Sequence, residues 1–114
     1  MSPEDLRLLL KDLPAVTEDV KWEDKLCFLV GGKIFALASL AQPLRVAFKC
    51  SEEDFARLTD REDIIQAPHF ARNQWVQVLK ASALSRREWQ DCLAASYGLV
   101  VEKLPKKVRK ELDV

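Results

Sequence analysis

Five cations crowd into eight positions near the end of this chain: Lys103, Lys106, Lys107, Arg109 and Lys110. Side chains of this type at this density neutralise anions rather than react, and a run of phosphates is the polyanion they fit. On a helical wheel centred on Val108, Leu104 and Leu112 fall within about 40°, and all five cations lie about 100° or more away, at roughly 100° per residue. The apolar side would dock and the cations would face out. If all five neutralised phosphates, log affinity would fall against log salt with a slope near −4.5, from about 0.9 per phosphate. The plainer reading is a solvated helix end, because the backbone dipole favours positive charge at a helix C-terminus.

Other residues could lengthen such a track. From Leu44 to Cys50, the residues Leu44, Val46, Phe48 and Cys50 alternate with Arg45, Ala47 and Lys49. One strand face is then core, and the other shows Arg45 and Lys49 to solvent or phosphate. His69, Arg72 and Asn73 lie in a stretch that opens with Ala67 and Pro68, a shaped loop whose donors suit phosphates or groove edges. Phe70 and Trp75 beside them read as core anchors ahead of stacking platforms.

Reactive chemistry finds little footing. There is no G-x-S-x-G elbow and no glycine-rich phosphate loop with a lysine. A single histidine cannot build a zinc site with scattered cysteines, so no metal is expected. His69 with Cys50 or Cys92 is the one conceivable thiolate pair. Cys27, Cys50 and Cys92 sit in apolar patterns without a C-x-x-C spacing, which suits buried thiols in a reducing compartment such as the cytoplasm. The expectation is a non-catalytic protein with no cofactor.

The 114 residues fit one domain spanning 1–114, long enough to bury a core without disulfides. Basic and acidic residues balance at 18 each, yet Met1 to Asp63 holds 9 basic and 13 acidic residues (net −4), and Ile64 to Val114 holds 9 and 5 (net +4). The positive pole is C-terminal. The acidic start, Ser2-Pro3-Glu4-Asp5, does not suit a targeting leader, and the longest uncharged run, Ile34 to Leu44, is too short to span a membrane.

Ser2, Pro3 and Asp5 predict a capped helix with Leu6, Leu9, Leu10 and Leu13 on one face, ended by Leu13-Pro14. The acidic stretch with Val16, Val20 and Trp22 reads as a loop or short edge segment. Leu26 to Val30, Gly31-Gly32 and Lys33 to Leu40 predict a hairpin. Ala41-Gln42-Pro43 turns the chain into the Leu44 strand, and Ser51 with Asp54 starts a helix ending near Thr59. Ile64-Ile65 and Gln74 to Leu79 are two further strands. Ser85 with Glu88 caps a last helix whose stripe is Trp89, Cys92, Leu93, Tyr97, Val100, Val101 and Leu104. The order α-β-β-β-α-β-β-α, with tight turns, implies an α+β two-layer domain: an antiparallel sheet of about five strands with helices on one face.

Four pieces of the chain resemble the MmcQ/YjbR family of small bacterial proteins. They are Leu13-Pro14 with Val16-Thr17-Glu18; Trp22 with the run from Phe28 to Leu37; Phe48-Lys49-Cys50; and Ser96-Tyr97 with Leu99-Val100-Val101 and Lys103 to Lys107. The resemblance spans nearly the whole chain. It implies a frataxin-like or secretion-chaperone-like α+β fold and a DNA-binding protein with a double-wing arrangement. Many relatives carry Gly-Tyr-His followed by Asn-Lys-Arg-His-Trp, whereas this chain reads Ala67 to Trp75 and keeps only His69 and Trp75 by type and spacing.

The function expected is therefore DNA binding, with double-stranded DNA as partner and Lys103, Lys106, Lys107, Arg109, Lys110, Arg45, Lys49, Arg72, Asn73 and His69 as contacts. The alternative is a protein-interaction module using an exposed sheet edge. A monomer or weak homodimer is expected, away from membranes, and no small-molecule substrate is evident in the sequence.

Overall fold

A computed structural model describes residues 1–41 and 43–114. Ser2 caps α1 (Pro3–Leu10): its hydroxyl accepts from the Asp5 amide and the Asp5 carboxylate accepts from the Ser2 amide. The helix closes at Leu10, three residues before the Leu13-Pro14 stop. The stretch read as a loop or edge segment is an edge strand, β1 (Val16–Lys21), paired antiparallel with β2 (Lys25–Val30). Its polar residues hid it, because solvent reaches most of β1 and no apolar alternation develops. The glycine hairpin forms as predicted, with Gly31 at φ 59° and Gly32 at φ 78° leading into β3 (Lys33–Ser39). Next come β4 (Arg45–Lys49), α2 (Glu52–Thr59) capped by Ser51, β5 (Ile64–Gln66) and β6 (Trp75–Val78). A 3-10 turn at Ala81–Ala83 precedes α3 (Arg86–Glu102), and α4 (Lys106–Leu112) ends the chain. The expected 41–43 turn includes Gln42, which lies outside the described residues.

The described strands form one antiparallel sheet in the order β1-β2-β3-β4-β6-β5. The fold class is the α+β two-layer arrangement predicted, with one more strand and one more helix. All helices lie over one face, where Leu6, Phe28, Phe35, Phe48, Leu58 and Leu93 are at most 1 % exposed. Burying large apolar side chains of this kind supplies the main drive to fold, roughly 1.5–3 kcal/mol each.

The other face corrects the alternation reading. Ala47 does not face solvent between two cations; it is buried in a second cluster with Cys27, Leu29, Leu37, Ala67 and Trp75. The β5–β6 loop covers that part of the sheet, and Phe70 stacks on Trp75 with ring centroids 4.4 Å apart. Trp75 is a core anchor, as the sequence implied, and Phe70 is half-buried against it.

Ser96 of α3 pins two strands together at a defect in the sheet. Phe28 pairs with Ala36 but Leu29 pairs with Ile34, so Phe35 is the extra residue of a β-bulge. The β3–β4 register runs out at Ala36 opposite Phe48, and the next pair would be Phe35 and Lys49. There the Ser96 hydroxyl intervenes, accepting from the Lys49 amide at 2.9 Å and donating to the Phe35 carbonyl at 2.6 Å. Ser96 is itself fully buried. Ser96→Ala should leave a buried donor and acceptor unpaired, costing about 1–3 kcal/mol. Thermal denaturation should show a melting temperature roughly 4–12 °C lower, at about 4 °C per kcal/mol for a chain of this size; an unchanged value would mean the two groups pair directly.

The start of α3 carries a charged clamp. Glu88 completes the capping box with Ser85 and also accepts from the Arg61 guanidinium, which donates to the Ala83 carbonyl at 2.8 Å. The Arg61 hydrogen bond, then the Ser85 amide, lowers the Glu88 pKa from 4.5 to about 2. A carboxylate depressed on folding stabilises the fold above its unfolded pKa, and this is lost as pH falls through the folded value. The Glu88 contribution is thus complete above 4.5 and fades towards 2. Melting curves of Glu88→Gln should lie below wild type near neutral pH and converge with it at the acid end of that window.

Candidate functional site

The C-terminal cations are not on one continuous helix. Lys103 caps α3, its amide donating to the Val100 and Val101 carbonyls, and Pro105 stands at the N-cap of α4 with no side-chain cap. The break follows from proline, which the preceding helical turn cannot accommodate. The apolar side docks as the wheel predicted: Leu104 is buried, and Val108 and Leu112 are half-buried against the core. The Gly31 turn makes the seat, since a Cβ there would stand 2.8 Å from Leu104 Cδ1 and 3.2 Å from Val108 Cγ1. Lys103, Lys106, Lys107 and Lys110 are exposed, and Arg109 is half-buried with Nε out of solvent and without a hydrogen-bond partner.

The dipole explanation for this charge fails for two of the lysines. Lys106 and Lys107 occupy the first turn of α4, the positive end of the helix, where a cation is disfavoured. Only Arg109 and Lys110 sit in its last turn.

Lys49 joins the group and Arg45 does not. Lys49 feels the positive charge of Lys103. Burial first, and then this repulsion, pulls the Lys49 pKa below its ordinary value. Arg45 starts β4 and Lys49 ends it, about 13 Å apart at roughly 3.3 Å per residue, so the expected pair does not form one track with the C-terminal cations. Arg72 and Asn73 come nearer, because Gln74, the next residue, accepts from the Cys50 amide just past Lys49. Among the described residues, no carboxylate forms an ion pair with Lys49, Arg72, Lys103, Lys106, Lys107, Arg109 or Lys110, nor with Lys11, Lys33, Arg45, Lys80 or Arg86, whereas Arg7, Lys21, Lys25, Arg57, Arg61 and Arg87 are paired.

The β5–β6 loop is tied from within. Gln66 donates to the Ala67 and Phe70 carbonyls and accepts from the Asn73 amide, while His69 and Asn73 take positive φ. His69 is exposed on the loop that covers the outer face, and Cys50 packs on the helix side. Burial pushes the Cys50 thiol up to about 11 and raises Cys92. The His69 thiolate pair considered above is therefore not assembled.

A groove of about 570 Å³ opens on the outer sheet face. Its floor is one cross-strand row, Leu37, Ala47 and Gln77, in register on β3, β4 and β6. Trp22 of the β1–β2 turn and Phe70 of the loop also line the groove. Trp22 is 67 % exposed at φ 51°, followed by Glu23 at φ 70°. Left-handed backbone costs about 1–2 kcal/mol at each such residue, and little packing of Trp22 offsets it. Sequence reasoning missed this groove because its parts come from five segments spread between Trp22 and Gln77, and a lone tryptophan in an acidic stretch was the only signal.

The YjbR family model matches residues 11–99. The crystal structure of the Deinococcus radiodurans protein DR2400, with a DUF419 domain, is similar at a TM-score of 0.89 and 29% identity, over 99% of this chain and 88% of that one. A Pseudomonas syringae protein shares the fold at a TM-score of 0.73 and 19% identity, over 87% of this chain and 98% of the other. No curated protein matches the chain. Among the described residues, no helix is long and apolar enough to cross a membrane.

Proposed function

Given that this chain belongs to the YjbR family, we propose that it is a non-catalytic DNA-binding protein that holds duplex phosphates with Lys103, Lys106, Lys107 and Lys110, joined by Lys49 and flanked by Arg109, Arg72 and Asn73. The observation that carries this reading is that Lys49, Lys103, Lys106, Lys107 and Lys110 form no ion pair among the described residues, while the charge of Lys103 helps to lower the Lys49 pKa. Like charges held together repel, and a bound polyanion relieves the repulsion while releasing its own counterions. Two lysines placed against the α4 dipole point the same way. Raised thiol pKa values at Cys50 and Cys92 fit a protein that does no nucleophilic chemistry, and its free thiols suit the cytoplasm. Duplex affinity measured across a salt series should fall with a log–log slope near −4.5, from about 0.9 per phosphate over five contacts. A slope near zero removes the proposal.

A second reading rests on β1. This six-residue strand leaves one edge unpaired, and its own Val20 is 54 % exposed. A partner strand could add there by main-chain hydrogen bonds. Affinity capture with nuclease present separates the two: partners surviving nuclease favour the edge, and partners lost with the nucleic acid favour the lysines.

A further inference from the structure

We infer that the outer-face groove is a binding site for a planar nitrogen heterocycle, a purine or pyrimidine base carried either by a free nucleotide or by an unpaired nucleotide of a single strand. Three features of the groove converge on that class. Its floor is apolar at Leu37 and Ala47, which suits a ring face, and Lys25 and His69 are in its lining as polar neighbours. Two aromatic rings also line the groove. Phe70 is fixed by its stack on Trp75, and Trp22 is held out in solvent by a left-handed turn. Bulky residues at positive φ mark places where backbone conformation serves something other than packing, and ligand clamps are among those places. Base–aromatic stacking tolerates any base because each has a π-face.

The third feature selects nitrogen heterocycles over other rings. Gln77 is the polar member of the floor row, and among the described residues its amide makes no hydrogen bond with the protein. A side-chain amide offers a donor and an acceptor side by side, the pattern that pairs with a base edge, and a carbocycle would leave both unmet. The volume of about 570 Å³ admits a base with its sugar. One row further along the same face, Ser39 aligns with Lys25 and with Arg45, which forms no ion pair among the described residues. Arg45, which does not reach the C-terminal lysines, is in place for a phosphate attached to the base.

The inference does not depend on the duplex proposal, since none of the C-terminal lysines lines the groove. Calorimetric titration of the whole chain with each of the four common 5′-mononucleotides, with phenyl phosphate and with inorganic phosphate tests it. At least one mononucleotide should bind saturably and quench tryptophan emission, since Trp22 is the exposed indole while Trp75 and Trp89 are buried. Inorganic phosphate should give no saturation, and phenyl phosphate should bind about tenfold or more weakly. Trp22→Gly should weaken mononucleotide binding by roughly 10–100-fold with an equal or higher melting temperature, because glycine accepts the turn conformation. Gln77→Leu should erase the preference over phenyl phosphate. A single-stranded oligonucleotide that binds more tightly than its mononucleotide, with the gain lost in Trp22→Gly, identifies the strand as the source; equal affinities identify the free nucleotide. Failure of all four mononucleotides to saturate, wild-type affinity in Trp22→Gly, or phenyl phosphate binding as tightly as the nucleotides overturns the inference.

Discussion

Replacing Lys106, Lys107 and Lys110 together with glutamate is expected to abolish retention on duplex DNA while the melting temperature holds or rises. The three side chains are exposed and, among the described residues, unpaired, so their removal breaks no contact. Glutamate at Lys106 and Lys107 would also face the positive end of α4, where an anion is favoured by about 0.3–1 kcal/mol. Loss of binding with a gain in stability is the signature of charge retained for a ligand. The wild-type affinity should fall about 500-fold for a fourfold rise in salt if the slope is near −4.5. Filter binding across that series, beside calorimetry of the fold, checks both halves. Unaltered retention of the triple variant sinks the proposed function.

Gly31→Val should strike the fold and the lysine-bearing helix together. A β-branched residue must accept φ 59° there, and its first side-chain carbon would press on Leu104 and Val108. Left-handed strain of about 1–2 kcal/mol and overpacking of about 1–3 kcal/mol add to a fall in melting temperature of roughly 8–20 °C, at about 4 °C per kcal/mol. Gly32 is the internal control. Its φ is 78° but no atom lies within 4 Å of an added Cβ, so Gly32→Ala bears only the conformational cost. If both variants melt alike, α4 does not rest on the hairpin. If Gly31→Val alone also loosens DNA retention, the docked position of α4 matters as well as its charge.

What could be read ahead of the structure follows from how local each signal is. Gly31-Gly32, the Ser51 cap and the Ser85–Glu88 box each act within a few residues, and each stands where spacing placed it. β1 escaped because strand character shows as apolar alternation only when one face is buried, and Thr17, Glu18, Asp19 and Val20 are all exposed. The bulge at Phe35 was invisible for the opposite reason: Ile34 to Ala38 is apolar throughout, so an added residue disturbs no pattern. Among the site residues, the outward lysines were legible from the wheel, but the break at Pro105 was not part of that reading. That the break would set Lys106 and Lys107 against the dipole was not read from it. The coupling of Lys49 to Lys103 across 54 positions of chain required the packing of α3 on β4.

The same helix that buttons β4 to β3 through Ser96 also carries Lys103, seven residues and almost two full turns further on, about 10.5 Å along the axis and within roughly 20° of the same azimuth. α3 therefore works as a ruler: its zero mark is a hydroxyl lodged at Lys49's own amide, and its far graduation sets the charge that Lys49's side chain feels. Inserting one residue between Ser96 and Lys103 would swing that graduation by about 100°, leaving every lysine in the chain but dissolving their alignment.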